Sequence, residues 1–150
     1  EIFENQLHQF LIHLPENVPS PPITVMFGHA HEAMEAADLV IVASGTATLE
    51  AALLKKPMII TYRMSNLSWQ ILKRMRLQPY VGLPNILAER FVVPELLQQE
   101  ATPEKIAETA HNLLNDKALQ IDIQQEFTRM HHALRQNTAD KAAEAILKFL

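Results

Sequence analysis

Apolar positions change their spacing several times along the chain, and each change predicts an element. Ile2, Phe3, Leu7, Phe10, Leu11 and Leu14 recur at helical intervals, which predicts a helix over residues 2–14. Pro15, Pro19, Pro21 and Pro22 end it and make a loop. Short apolar runs follow at 23–27, 39–43, 58–62 and 79–81, and each reads as a strand. Between them lie helical patterns over 29–37, over 46–54, and from a cap at Ser65 or Asn66 to Leu77. Gly28, Gly45 and Gly82 each follow one of the strand-like runs. Strands alternating with helices imply a parallel sheet with right-handed crossovers. Ligands of such sheets bind beyond the carboxyl ends of the strands, where the three glycines are expected. After residue 90 the pattern turns helical. Phe91 to Gln98 leads into a helix turn, and Thr102-Pro103 caps a helix to about Leu114. A helix over 117–136 carries Ile121, Ile123, Phe127, Met130 and Leu134. A last helix, capped by Asn137 or Thr138, runs to Leu150.

Composition narrows the function classes. The 150 residues are one domain's worth of chain, and 48% hydrophobic content is ordinary for a globular protein. A net charge of -4 gives no support for nucleic-acid binding. Without cysteine there is no disulfide framework, thiolate metal site or Cys nucleophile. The seven histidines lack metal-ligand spacing, so no metal is expected. No signal peptide is legible, nor any apolar run of about 20 residues. The chain reads as cytoplasmic. It opens in the middle of a helical pattern, which reads as a fragment of something longer. Lys55, Lys56, Lys73, Arg74 and Arg76, with Trp69 and Met75 nearby, form either a solvated helix face or a contact with an anionic membrane surface.

The stretch with most chemistry is Ser44-Gly45-Thr46-Ala47-Thr48-Leu49-Glu50. A buried strand feeds a glycine turn, and an alanine- and leucine-rich helix leaves it. The helix opens with small residues, so its first N–H groups are reachable and carry the positive end of the helix dipole. That is a phosphate-sized anion site. Glu50 lies four residues after Thr46 on the same face, and helical side chains lean toward the N-terminus. Its carboxylate is placed to accept both hydroxyls of a ribose. The plainer alternative is a βα unit capped by Ser44 or Thr46, with Glu50 solvated. No Lys follows the turn as a P-loop requires, and Ser44 lacks the flanking glycines of a nucleophile elbow. Asn85, in the loop after Gly82, either fixes a ligand group or closes an Asx turn. Arg63, at the end of the strand 58–62, suits a phosphate or a surface ion pair. From residue types alone, Glu95 and Gln98 read as solvated.

Taken together and in order, Ser44 to Glu50, Tyr62-Arg63-Met64, Leu83-Pro84-Asn85-Ile86-Leu87-Ala88 and Val93-Pro94-Glu95-Leu96-Leu97-Gln98 resemble the lipid-A-disaccharide synthase family over nearly the whole chain. The resemblance implies an α/β fold: a Rossmann-like parallel sheet with helices on both faces, the C-terminal half of a GT-B glycosyltransferase, with an all-helical C-terminal tail. Residues 1–115 would be a donor-binding domain, incomplete at its N-terminus, and 116–150 the tail. The implied reaction is transfer of 2,3-diacylglucosamine from UDP to 2,3-diacylglucosamine 1-phosphate (lipid X), with inversion, giving the β-1,6 disaccharide precursor of lipid A. No cofactor or metal is implied. Carried over by position, Ser44, Gly45, Thr46, Ala47 and Thr48 would cradle the pyrophosphate and Glu50 would hold the ribose. Arg63, Asn85, Arg90, Glu95 and Gln98 would be further donor contacts. Glu89 departs from the family pattern, in which Gly commonly precedes the arginine. The acceptor half, with the general base, lies outside this chain, so the fragment is expected to be inactive alone. Further expectations are peripheral contact with the inner membrane and a homodimer formed through the C-terminal helices. Rival readings are a different UDP-sugar GT-B enzyme (a MurG-like transferase or a UDP-sugar epimerase) and a non-catalytic module that binds nucleotide or self-associates. An epimerase would keep catalytic acids on both domains, and no clear carboxylate constellation is legible.

Overall fold

Parallel strands must be covered on both faces, so their sequences are short and apolar. In the computed structural model, which describes residues 2–12, 19, 21–75 and 78–148, three such runs form the sheet. They are β1 (Val40–Val42), β2 (Met58–Tyr62) and β3 (Glu95–Leu97), parallel and in that spatial order. Val40 stands opposite Met58, and Ile60 opposite Glu95. Met58, Ile59 and Ile60 of the middle strand are fully buried. The helices are α1 (Ile2–Ile12), α2 (Ala30–Ala36), α3 (Thr46–Leu53), α4 (Asn66–Met75), α5 (Leu83–Ala88), α6 (Pro103–Asn115), α7 (Lys117–Leu134) and α8 (Thr138–Leu147). A 3-10 turn over Gln98–Glu100 follows β3. The result is the expected α/β architecture, a parallel sheet flanked by helices with a helical C-terminal part, consistent with one half of a GT-B fold.

Local chemistry sets the helix starts. Ser65 Oγ accepts from Ser68 N at 3.1 Å to cap α4. Thr102 Oγ1 accepts from Lys105 N at 3.3 Å, with Pro103 in the first turn of α6. Asp116 Oδ1 accepts from Leu119 N at 2.9 Å, a cap for α7. Ala51 and Ala52 of α3 are small enough to let that helix sit close to β1 and β2. Helix α7 packs on α3, α5 and α6, burying Ile123, Phe127 and Met130. Each of those side chains contributes about 1.5–3 kcal/mol relative to exposure.

Several expectations are corrected. Residues 23–27 are not a strand: Ile23, Val25, Met26 and Phe27 are exposed and belong to no ladder. A strand exists only with a neighbour that takes its N–H and C=O groups, and none of β1 to β3 does so here. Residues 79–81 are not a strand either, because side chains of Ser44 and Glu95 replace the ladder bonds of Val81. The third strand is instead β3, in the stretch read as a lead-in to a helix turn. Asn85 stands on a helix, not in a loop: α5 has Gly82 as its N-cap and Pro84 in its first turn. The predicted helix residues 13–14, 76–77 and 149–150 lie outside the described residues.

Candidate functional site

Gly45 is the N-cap of α3, at φ 138° and ψ −164°. This is backbone that L side chains rarely adopt, which explains the glycine. A Cβ built there would meet nothing within 4 Å, so the space before the helix is open. No side chain caps α3 from Ser44 or Thr46. Instead Thr48 Oγ1 donates to the Gly45 carbonyl at 2.7 Å, and Thr48 N donates to the same oxygen at 3.1 Å. Thr48 is fully buried, so it stands behind the mouth of the helix and shapes it. Among the described residues, the N–H groups of Thr46 and Ala47 have no partner, as expected for the first turn of a helix. Glu50 is exposed one turn along the helix from Thr46.

The floor beside this mouth is a hydrogen-bonded frame centred on Glu95. Ser44 Oγ donates to Val81 O at 3.3 Å. Val81 N and Gly82 N each donate to the Glu95 carboxylate at 2.9 Å. Asn85 Nδ2 donates to Glu95 Oε1 at 2.8 Å and to Val93 O at 2.9 Å. Asn85 Oδ1 accepts from Val92 N at 2.8 Å and Val93 N at 3.0 Å. Asn85 is fully buried, and all four of its hydrogen-bonding positions are used inside the protein. A Cβ at Gly82 would lie 2.1 Å from Ile60 Cδ1, so any larger residue there would have to displace the buried Ile60 side chain. Tyr80 closes the frame, its hydroxyl donating to Glu89 O at 2.6 Å while its ring meets Phe91 edge-on at 4.9 Å. Glu89, where the resemblance leads one to expect glycine, is the left-handed C-cap of α5 at φ 53°.

Gln98, also at positive φ (53°) and only 5% exposed, holds the turn after β2. Met64 N donates to Gln98 Oε1 at 2.8 Å, and Gln98 Nε2 donates back to Met64 O at 3.1 Å. Arg63 precedes that clamped residue, is exposed, and has no ion-pair partner among the described residues. Arg90 points elsewhere. Its Nη2 donates to Glu126 Oε2 on α7 at 2.8 Å and lies 3.6 Å from Asp122. Arg129 shares Glu126. Its hydrogen bond to the Glu126 carboxylate holds the Arg90 guanidinium above its ordinary pKa.

The predicted residues therefore divide. Ser44, Gly45, Thr46, Ala47, Glu50 and Arg63 stand at or near the carboxyl ends of β1 and β2. Thr48, Asn85, Glu95 and Gln98 support that end from within, and Arg90 ties the loop after α5 to α7. Gly82, one of the three glycines expected at the strand ends, belongs to the frame, and so does Tyr80, which residue type alone did not single out. A recess of about 360 Å³ opens beside the frame, between Trp69, Pro79, Phe91, Glu95, Leu97 and Gln98. Another, of about 380 Å³ between Asp38, Lys56, Pro57, Lys117 and Gln124, lies at the opposite end of the strands. Among the described residues, no helix is long and apolar enough to cross a membrane.

Comparison with known proteins adds the family. The sequence model described as Lipid-A-disaccharide synthetase matches residues 2–149. The chain is 69% identical over 129 residues to the lipid-A-disaccharide synthase of Methylobacillus flagellatus, covering 86% of this chain and 34% of that protein. It is 56% identical over 129 residues to that of Dechloromonas aromatica, with the same coverage of both chains. With that of Chromobacterium violaceum the identity is 51% over 146 residues, covering 97% of this chain and 36% of the relative. The chain thus spans about a third of the length of the curated relatives it matches. Motifs and matches agree along nearly all of the sequence, and the chain belongs to the lipid-A-disaccharide synthase family.

Proposed function

We propose that this chain is the donor-nucleotide portion of a lipid-A-disaccharide synthase, a glycosyltransferase of lipid A biosynthesis. The donor is UDP-2,3-diacylglucosamine, the acceptor is lipid X, and the product is the β-1,6-linked disaccharide formed with inversion. The observation that carries the reading is the open N-terminus of α3 behind Gly45, in a chain of this family. Ser44, Gly45, Thr46 and Ala47 receive the pyrophosphate, Glu50 accepts the ribose hydroxyls, and Arg63 supplies the cation. Thr48, Asn85, Glu95 and Gln98 act by holding these groups in place, and Arg90 by anchoring α7. As the glycosidic C–O bond breaks, negative charge gathers on the departing UDP. Fixed N–H groups and a cation stabilise that charge without reorganising, which lowers the barrier.

Residues 1–115 form the donor-binding portion, with the helical tail 116–150 seated on it through α7. The acceptor-binding part and the general base belong to the remainder of the longer enzyme, so this chain alone does not catalyse transfer. The protein works in the cytoplasm, peripherally at the inner membrane where such acylated substrates reside. The family match favours this reading over the MurG-like transferase, the epimerase and the non-catalytic module. The test is Glu50→Ala in the full-length enzyme, titrated with UDP and with 2′,3′-dideoxy-UDP. Loss of a hydrogen bond to a charged group costs about 1.5–3 kcal/mol. UDP affinity should therefore fall by roughly tenfold to a hundredfold, with little change for the dideoxy nucleotide. Equal losses for both would remove Glu50 from the ribose.

A further inference from the structure

Two adjacent lysines in the turn from α3 to β2 meet different fates. Lys55, at φ 59°, has its ammonium taken up inside the fold: Nζ donates to Leu53 O and, at 2.6 Å, to His131 Nδ1 on α7. Lys56 lines the recess of about 380 Å³ at the far end of the strands. It is half-buried, yet its ammonium has no hydrogen bond or ion pair among the described residues. Lys117 lines the same recess from the first position of α7, where the helix dipole disfavours a cation. It is held there all the same. Its Nζ donates to Gln120 Oε1 at 3.3 Å, and Gln120 is itself fixed, donating through Nε2 to Leu113 O at 2.7 Å and Leu114 O at 2.9 Å. Asp116 does not answer the charge, because its carboxylate is spent on Leu119 N. Asp38, on the opposite wall, forms an ion pair with neither lysine, and the side-chain amide of Gln124 has no partner among the described residues.

We infer that this recess is a second ligand site, for a small phosphorylated sugar, with Lys56 and Lys117 meeting the phosphate and Asp38 and Gln124 taking sugar hydroxyls. The charges choose the ligand. Two ammonium groups against one carboxylate favour an anion. A bare inorganic anion would use the lysines but meet Asp38 as a like charge. A hydroxyl donates to that carboxylate and turns the same wall from repulsive to attractive. A metal ion would find one carboxylate and two cations, and no group of three metal-ligating side chains exists among the described residues. An apolar molecule would bury charged groups without partners. The volume is that of a small-molecule pocket, which begins at about 300 Å³. The site is separate from the donor mouth: Asp38 and Lys56 precede β1 and β2, whereas Gly45 and Arg63 follow them. Both ligands can therefore be held at once, and the inference is independent of the nucleotide assignment.

The test is calorimetry on the full-length protein with glucose 6-phosphate, glucose 1-phosphate, inorganic phosphate and glucose. At least one sugar phosphate should bind about tenfold or more tightly than inorganic phosphate, the value of a hydrogen bond to a charged group. Glucose should bind more weakly than either, and saturating UDP should leave the sugar phosphate affinity unchanged. Lys56→Gln combined with Lys117→Gln should lose at least about tenfold for sugar phosphate. Asp38→Asn should bring the affinities for sugar phosphate and inorganic phosphate together, because it weakens the hydroxyl acceptor and removes the repulsion of the bare anion. Unfolding midpoints and UDP affinity of these variants should match wild type. Sugar phosphates that do not bind, that bind no more tightly than inorganic phosphate, or that UDP displaces would overturn the inference. So would folded variants that bind both anions as wild type does.

Discussion

Asn85 Nδ2 and Glu95 Oε1 stand 2.8 Å apart and join α5 to β3 at the carboxyl end of the sheet. The pair fixes more than itself, because Asn85 also takes Val92 N and Val93 N, while Glu95 takes Val81 N and Gly82 N. Asn85→Leu keeps the volume but leaves those buried donors without an acceptor. Each such group costs about 1–3 kcal/mol. The variant should lose about 3 kcal/mol in urea unfolding, taking both orphaned amides together. A loss within about 0.5 kcal/mol, typical of a surface position, would mean that Asn85 does not hold the frame.

Gln98 and Arg63 should act as one unit. Gln98 clamps Met64 through two reciprocal hydrogen bonds, and Arg63 is the residue just before it. Arg63→Ala in the full-length enzyme should weaken UDP by roughly tenfold or more, the value of a charge-assisted contact. Gln98→Ala should lose a similar amount by freeing the turn. The double variant should lose little beyond either single one, since both changes remove the same cation from its place. Additive losses in calorimetry would show that the two residues act separately.

Among the described residues, none buries a side chain of the C-terminal helix α8. No residue of α8 is buried, and Ile146 (63%) and Leu147 (67%) are exposed on it. Pairing of this helix with its counterpart in a second copy would cover both stripes at once. Light scattering on the chain should give a dimer, and a version ending at Asn137 should be monomeric. Ending at Asn115 would be a poorer test, because it removes the buried Phe127 and Met130 together with α8. A monomeric intact chain would contradict the expectation.

What could be read in the sequence was local. Met58–Tyr62 is a dense apolar run between a proline and an arginine, and it forms the strand expected of it. Thr102-Pro103 marked the start of α6 because cap and first-turn proline are neighbours in the chain. The Gly45 turn was legible for the same reason. The frame was not, because its bonds span long separations: Ser44 to Val81, Met64 to Gln98, Val81 to Glu95. Glu95 and Gln98 read as solvated because nothing in their neighbourhood announces the backbone amides they serve. One signal was available for α5: glycine, one residue, then proline ahead of an apolar run is a helix start, and it would have placed Asn85 on a helix. The run 23–27 misled in the opposite sense. Its apolar content suits a strand, but a strand also needs a neighbour.

The central claim is that the first N–H groups of α3 receive the donor pyrophosphate, and Thr46→Pro tests it most directly. Thr46 is the first helical residue, where proline is favoured because its N–H has no partner within the helix. Gly45, at φ 138° and ψ −164°, is outside the α region that a following proline disfavours, and without a Cβ it adds no clash with the proline ring. The substitution thus deletes one donor at the mouth and leaves the fold intact. UDP titrated calorimetrically into full-length wild type and variant should bind the variant roughly tenfold to a hundredfold more weakly, the value of one hydrogen bond to a charged group. Unfolding midpoints should be equal. Equal UDP affinity in the two folded proteins would contradict the account.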